Sequence, residues 1–262
     1  MIGRRPLRIA HLYPDAMNLY GDIGNIRVLR QRLLWRGIDA EVTGVSLGAA
    51  ELDGFDLIFF GGGQDRDQTR IHRDFADHKR NSLQRAVADG AAVLAVCGGY
   101  QLLGHSYVDA NGVEMEGLGL LDLRSSAGPD RWIGNVLVEA DASLGLTPRT
   151  LVGFENHGGR TFLGPGLRPL GRVLAGGGNN GGDRGEGVLS GTMIGTYLHG
   201  SVLPKNPALA DWLLRTALAH RDGEDVTLAP LDDTVEMAAH QVAAELARAE
   251  RGRTAVAKHR RP

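Results

Sequence analysis

One cysteine stands in the 262 residues, and it closes the apolar run of AAVLAVCGGYQLLG (91–104). A thiol at that point can do nucleophilic chemistry. A strand that turns sharply into a helix lifts the side chain above a sheet, and small neighbours let the backbone take the strained conformation. Ala95, Gly98 and Gly99 supply that smallness around Cys97. The N–H groups at the start of a helix also favour a thiolate. A buried cysteine can equally be a small core hydrophobe, and VCGG alone leaves the two readings open. Acyl transfer to a thiol needs a base that removes its proton and later helps the amine leave. Of the 9 histidines, His157 and His199 close an apolar run and precede a glycine.

The elements that must position these groups follow from periodicity. LRIAHLY (7–13) is a short β-type run, and 22–36 has helical spacing in Ile23, Val28, Leu29 and Leu33, with Gly37 as a stop. Strands follow at 38–45 and 56–60, a helix at 75–88 ended by Gly90, and a strand at 92–96. Near-continuous apolar strands alternating with helices predict an α/β fold: a mostly parallel open sheet covered by helices on both faces. Ligands bind beyond the carboxyl ends of such strands, where FFGGGQ and Cys97 both fall.

The second half reads as more antiparallel, from WIGNVLVEA, TLVGFENH and GTMIGTYLH. Helices are expected at 206–219, with Pro207 in the first turn, and at 234–250. AGGGNNGGDRGEG (175–187) has the composition of a solvated loop. No linker divides the chain. We expect one domain over 1–250 and a frayed basic tail over 251–262.

With 42% hydrophobic and 23% charged residues the composition is that of a globular protein, and a net charge of -2 gives no case for nucleic acid as main partner. A lone cysteine excludes an internal disulfide and a thiolate zinc site, and no metal site is expected. No stretch approaches the roughly 20 apolar residues of a membrane span. The apolar run in MIGRRPLRIAHLYP is too short for a signal peptide, so a cytoplasmic location is expected. No GxxxxGK[ST] phosphate loop is present.

CGGYQLLG resembles the elbow of class I glutamine amidotransferases, in the branch that includes cobyric acid synthase. The resemblance implies a flavodoxin-like sheet and a cysteine that attacks the side-chain amide of glutamine. It gives the base role to His199, because GTYLHGSVL matches the family's histidine segment. Gly98, directly after the nucleophile, is one oxyanion donor; FFGGGQD resembles the family's other donor loop and makes Gly62 or Gly63 the second. Gln101 matches a position that contacts substrate. Two departures stand out. Ala95 replaces the usual glycine, and Ser201 stands where a triad glutamate is usual, which leaves Glu155 and Asn156 as candidates for a third member.

HLYPDAMNLYGDIGNIRVL, GFENHGGRTFLG and GTYLHGSVLPKNPALADWLL together are similar to the glutaminase subunits of lipid II isoglutaminyl synthases, over Leu7 to Ala219. That resemblance implies a Mur-ligase-like synthetase partner of the MurT type, holding ATP and Mg, which would amidate lipid II with ammonia from L-glutamine. It implies no cofactor in this chain. It places Arg131 of GPDRWIGNV on the substrate, where a guanidinium suits a bidentate grip on the α-carboxylate. The competing expectations are a subunit of a cobyric acid or cobyrinate-type synthase, a stand-alone cysteine amidase, and a non-catalytic scaffold.

Overall fold

The runs LIFF and AVLAV contain no polar side chain and every residue in them is buried. Both faces of these strands are therefore covered, as in a parallel α/β sheet. The computed structural model describes residues 5–17, 22–63, 65–199 and 201–258, with backbone alone at 65–69 and 251–258. The first half runs β1 (Leu7–Leu12), α1 (Ile23–Leu34), β2 (Ala40–Val45), β3 (Leu57–Phe60), α2 (Asp65–His78), α3 (Arg80–Asp89), β4 (Ala92–Val96) and α4 (Gly98–Leu102). Then come β5 (Ser106–Val108), β6 (Glu114–Glu116), β7 (Leu123–Ala140), β8 (Thr150–Leu163), β9 (Gly171–Ala175), β10 (Gly185–Glu186), β11 (Val188–Ser190) and β12 (Met193–Thr196). Helices α5 (Pro207–Asp222) and α6 (Thr234–Lys258) close the chain.

One sheet has the order β11-β12-β4-β3-β1-β2 and is parallel except at β11. The other has the order β10-β9-β7-β5-β6, with β8 paired to β7, and is antiparallel except between β5 and β7. The expected division into a parallel first half and a more antiparallel second half is what the chain adopts. His199 ties the sheets together, exchanging two backbone hydrogen bonds with Phe154 of β8. Helix α6 lies on the second sheet through Ala243, Ala244 and Ala247, packed on Leu137, Val152 and Ala175. Residues this small let the helix approach closely. No helix among the described residues is long and apolar enough to cross a membrane.

Three segments differ from the sequence-based expectation. The helix expected at 75–88 is two helices that break at Lys79. That lysine is buried, its ammonium bonded to Gly48 O and Asp74 and set over the Tyr13 ring, and a continuous helix would not place it there. The glycine-rich stretch is a solvated loop only in part: Gly176 and 181–184 are exposed, while the rest is anchored in the fold. Asn179 is fully buried, bonded through its side chain to Gly187 O and N–H, and Gly177 and Gly181 lie against the Trp132 indole. Composition misleads here because the buried area comes from distant side chains, and the glycines admit them. The closing helix runs to Lys258, past the start expected for the tail, and 259–262 lie outside the described residues.

Candidate active site

The register of two neighbouring strands sets the centre of the site. Gly195 pairs with Ala95 and Thr196 with Val96, so Cys97 and the segment leading to His199 leave the sheet side by side. Cys97 N–H donates to Thr196 O at 2.8 Å. Its backbone sits at φ 51°, in the left-handed region that non-glycine residues avoid, which is the strain expected of a nucleophile elbow. The turn also needs Gly99, where a Cβ would come within 2.8 Å of Phe60 Cγ and Phe60 O. Helix α4 has only five residues, so its dipole is a smaller aid to a thiolate than the sequence suggests.

The Gly61–Gly63 loop leaves β3 beside this pair. A Cβ on Gly62 would lie 2.8 Å from His199 Cε1 and 3.4 Å from Cys97 Cβ. The candidate base and the candidate nucleophile therefore converge on one glycine. The two candidate donors of the loop are not equivalent. Gly62 N–H donates to the Asp22 carboxylate at 2.8 Å, whereas Gly63 lines the cavity together with Cys97. Gly98, the other expected donor, is the buried first residue of α4, directly after Cys97 in the chain.

His199 is 1% exposed, and burial pushes its imidazole down to about 3, with smaller effects in the same direction from His157 and Arg131. At neutral pH the ring is neutral and able to accept a proton. Both neighbours disfavour the imidazolium, in the same direction as burial. Ser201, in the position where the family's glutamate is usual, packs against helix α1: a Cβ on Gly24 would be 2.2 Å from its Oγ. Neither candidate third member is bonded to His199. Glu155 accepts from the N–H groups of Gly177 and Gly178 and lies 3.9 Å from His157 Nε2; Asn156 accepts from Arg131 through both O and Oδ1.

Cys97 opens on a cavity of about 630 Å³, a size usual for small-molecule sites, lined among others by Gly63, Gln101, Arg131, Asn156 and His157. Arg131 reaches it because of a bulge. Ala127 pairs with Gly159 and Trp132 with His157, so 128–131 of β7 face Gly158 alone and swell over the cavity. Arg160 fixes this bulge. Its guanidinium lies 3.5 Å over Trp132 and donates to Asp130 O and Oδ1 and to the carbonyls of Gly158 and Gly159. Lysine cannot reproduce that planar fork. Arg160→Lys should raise KM for glutamine by about tenfold, as expected for one lost charge-assisted contact, with kcat changing less. Steady-state kinetics with equal effects on both constants would contradict this.

Gln101 is held from behind. Its Nε2 donates to Tyr197 OH at 3.0 Å, which meets Thr161 Oγ1 at 2.7 Å, which in turn meets Ser125 Oγ at 2.7 Å. Tyr197 is stacked on His157 with ring centroids 3.8 Å apart. Its N–H donates to Glu186, a buried acid that desolvation pushes up to about 7. Of the residues legible in the sequence, Cys97, Gln101 and Arg131 line one cavity, and His199 is buried beside Cys97 across Gly62. Sequence analysis does not find Asp22, Trp132, Arg160 or Tyr197. In sequence, Asp22 looks like a helix cap and Arg160 like a surface charge.

An open, mostly parallel sheet with a cysteine elbow and a histidine at the end of the adjacent strand is the arrangement of class I glutamine amidotransferases. The solved structure of PurLQS from Thermotoga maritima has this fold at a TM-score of 0.56 and 18% identity, covering 82% of this chain and 99% of that one. The sequence profile of the CobB/CobQ-like glutamine amidotransferase domain matches residues 8–207, and the chain belongs to that family. Among its relatives is the lipid II isoglutaminyl synthase (glutamine-hydrolyzing) subunit GatD of Staphylococcus aureus, 41% identical over 90% of this chain and 94% of that protein. The subunit of the same name from Streptococcus pneumoniae is 41% identical over 87% of this chain and 86% of its own length.

Proposed function

We propose that the chain is the glutamine-hydrolysing subunit of a lipid II isoglutaminyl synthase. The observation that carries the chemistry is the convergence of Cys97 and His199 on Gly62, with Cys97 lining the same cavity as Arg131. His199 takes the thiol proton and the Cys97 thiolate attacks the side-chain carbonyl carbon of glutamine. Gly63 and Gly98 N–H groups would stabilise the oxyanion. As the tetrahedral intermediate collapses, the imidazolium returns the proton to the amide nitrogen, ammonia leaves, and a glutamyl thioester remains on Cys97. Water activated by His199 then releases glutamate and the free thiol.

The near-full-length identity to subunits named for lipid II supports the rest. Ammonia would pass to a Mur-ligase-like partner, which uses ATP and Mg to activate the α-carboxylate of D-glutamate in lipid II and convert it to D-isoglutamine. Ser201 in place of the family's usual glutamate suits an isolated chain that works slowly until that partner arranges the site. We place the protein in the cytoplasm, where such precursors are assembled.

Arg131 supplies the test of substrate class. Its exposed guanidinium is oriented by Asn156 through Nη1, and the residue lines the cavity. Losing a bidentate grip on the α-carboxylate costs about 1.5–3 kcal/mol, or roughly one to two decades in kcat/KM. Arg131→Ala should therefore slow glutamine hydrolysis by that factor, with or without the partner, while Cys97 still reacts with a small alkylating agent. Unchanged kinetics would assign the carboxylate to another group.

A further inference from the structure

A buried acid stands on the far side of the glycine loop, and the chemistry above does not use it. Asp22 precedes α1 at the helix N-cap, where aspartate usually accepts an N–H of the first turn. Here it makes no capping bond. Its carboxylate crosses instead to the loop after β3, where Oδ2 accepts the Gly62 N–H at 2.8 Å. The residue is fully buried, and Oδ1 has no hydrogen-bond partner among the described residues. A buried carboxylate with one oxygen unsatisfied is costly, and desolvation pushes this one up to about 7.

The placement gives the cost a purpose. Cβ positions built on Gly61 and Gly62 lie 3.1 Å and 3.4 Å from Asp22 Oδ2, and the one on Gly62 also lies 2.8 Å from His199 Cε1. Gly62 is thus a wedge one residue thick between Asp22 and the Cys97–His199 pair. We propose that Asp22 is a positioning residue for glutamine hydrolysis: by engaging the Gly62 N–H it turns that donor from the cavity and locks the loop so that Gly63 N–H serves the oxyanion. It touches no reacting atom. Its effect is confined to the step in which the oxyanion exists. This inference rests on the glutaminase reading.

The experiment measures steady-state glutamine hydrolysis by the chain together with its synthetase partner, for wild type, Asp22→Ala and Asp22→Asn, beside the rate at which a small alkylating agent labels Cys97. Removing an oxyanion donor costs about 10²–10³ in kcat, and loosening its loop should cost part of that. Asp22→Ala should lower kcat by about 10–100-fold with KM nearly unchanged and labelling intact. Asp22→Asn, whose amide oxygen can accept the same N–H, should recover most of the rate. Should the alanine variant fail to fold, Asp22→Ser suits the helix cap but ends one bond short of Gly62, and the same loss of kcat is expected. An active wild type with Asp22→Ala at an equal or higher rate overturns the proposal alone. A kcat loss matched by lost labelling, or not recovered by asparagine, overturns it too. A wild type that hydrolyses no glutamine overturns the glutaminase reading and the proposal with it.

Discussion

Cys97→Ala is expected to abolish glutamine hydrolysis while the melting temperature moves by only a few degrees. Removing the nucleophile of an acyl-transfer enzyme costs on the order of 10⁶ in kcat, because the remaining groups have nothing to attack with. The stability effect is small for a separate reason. Cys97 is 9% exposed at the cavity floor, and only one sulfur is removed. Alanine meets the same strain at φ 51° as cysteine does, so no new backbone cost arises. A small truncation of this kind typically costs ~1 kcal/mol. Glutamate release at the wild-type rate would end the nucleophile assignment, and collapse of the melting transition would return the thiol to the role of a core hydrophobe.

Gly62→Ala is expected to be nearly as damaging to activity. The added methyl would sit 2.8 Å from His199 Cε1, closer than real Cβ contacts allow, and 3.4 Å from both Asp22 Oδ2 and Cys97 Cβ. The ring is 1% exposed and bound through its backbone to β8, so it has little room to retreat. A displacement of about 1 Å in a catalytic group can cost on the order of 10² in rate. Overpacking adds ~1–3 kcal/mol of instability. The expected result is a folded protein of lower melting temperature, with hydrolysis down at least 100-fold. Full activity would show that Gly62 is a plain turn.

These two substitutions fall where the sequence is most legible. The strands LIFF and AVLAV declare themselves by unbroken apolar composition, and the loops at their carboxyl ends must then be neighbours in a parallel sheet. Nothing local could show that β12 would pair with β4, since nearly a hundred residues separate them; that pairing places His199 beside Cys97. Arg131 was legible through resemblance alone, because its physical cause is a bulge opposite Gly158 and a clamp from Arg160. The glycine-rich stretch misleads for a related reason. Its order comes from Trp132 and Glu155, which are remote in sequence. Asp22 is hidden in the same way: its partner is Gly62, forty residues on, and its type suggests a helix cap. Local pattern reveals the elements, while long-range hydrogen bonds to backbone leave no trace in it.

The most direct test of the central claim is covalent labelling. The chain, alone and with the proposed synthetase partner, is incubated with a glutamine-shaped electrophile that keeps the α-amino acid end, and the labelled peptide is identified by mass spectrometry. Cys97 is the sole thiol in the chain. Stoichiometric labelling of Cys97, slowed by added L-glutamine and by Arg131→Ala, is the predicted result. Labelling that L-glutamine does not slow, or that proceeds equally well in Arg131→Ala and His199→Ala, would show a thiol that merely reacts, and would contradict a glutaminase site in this cavity.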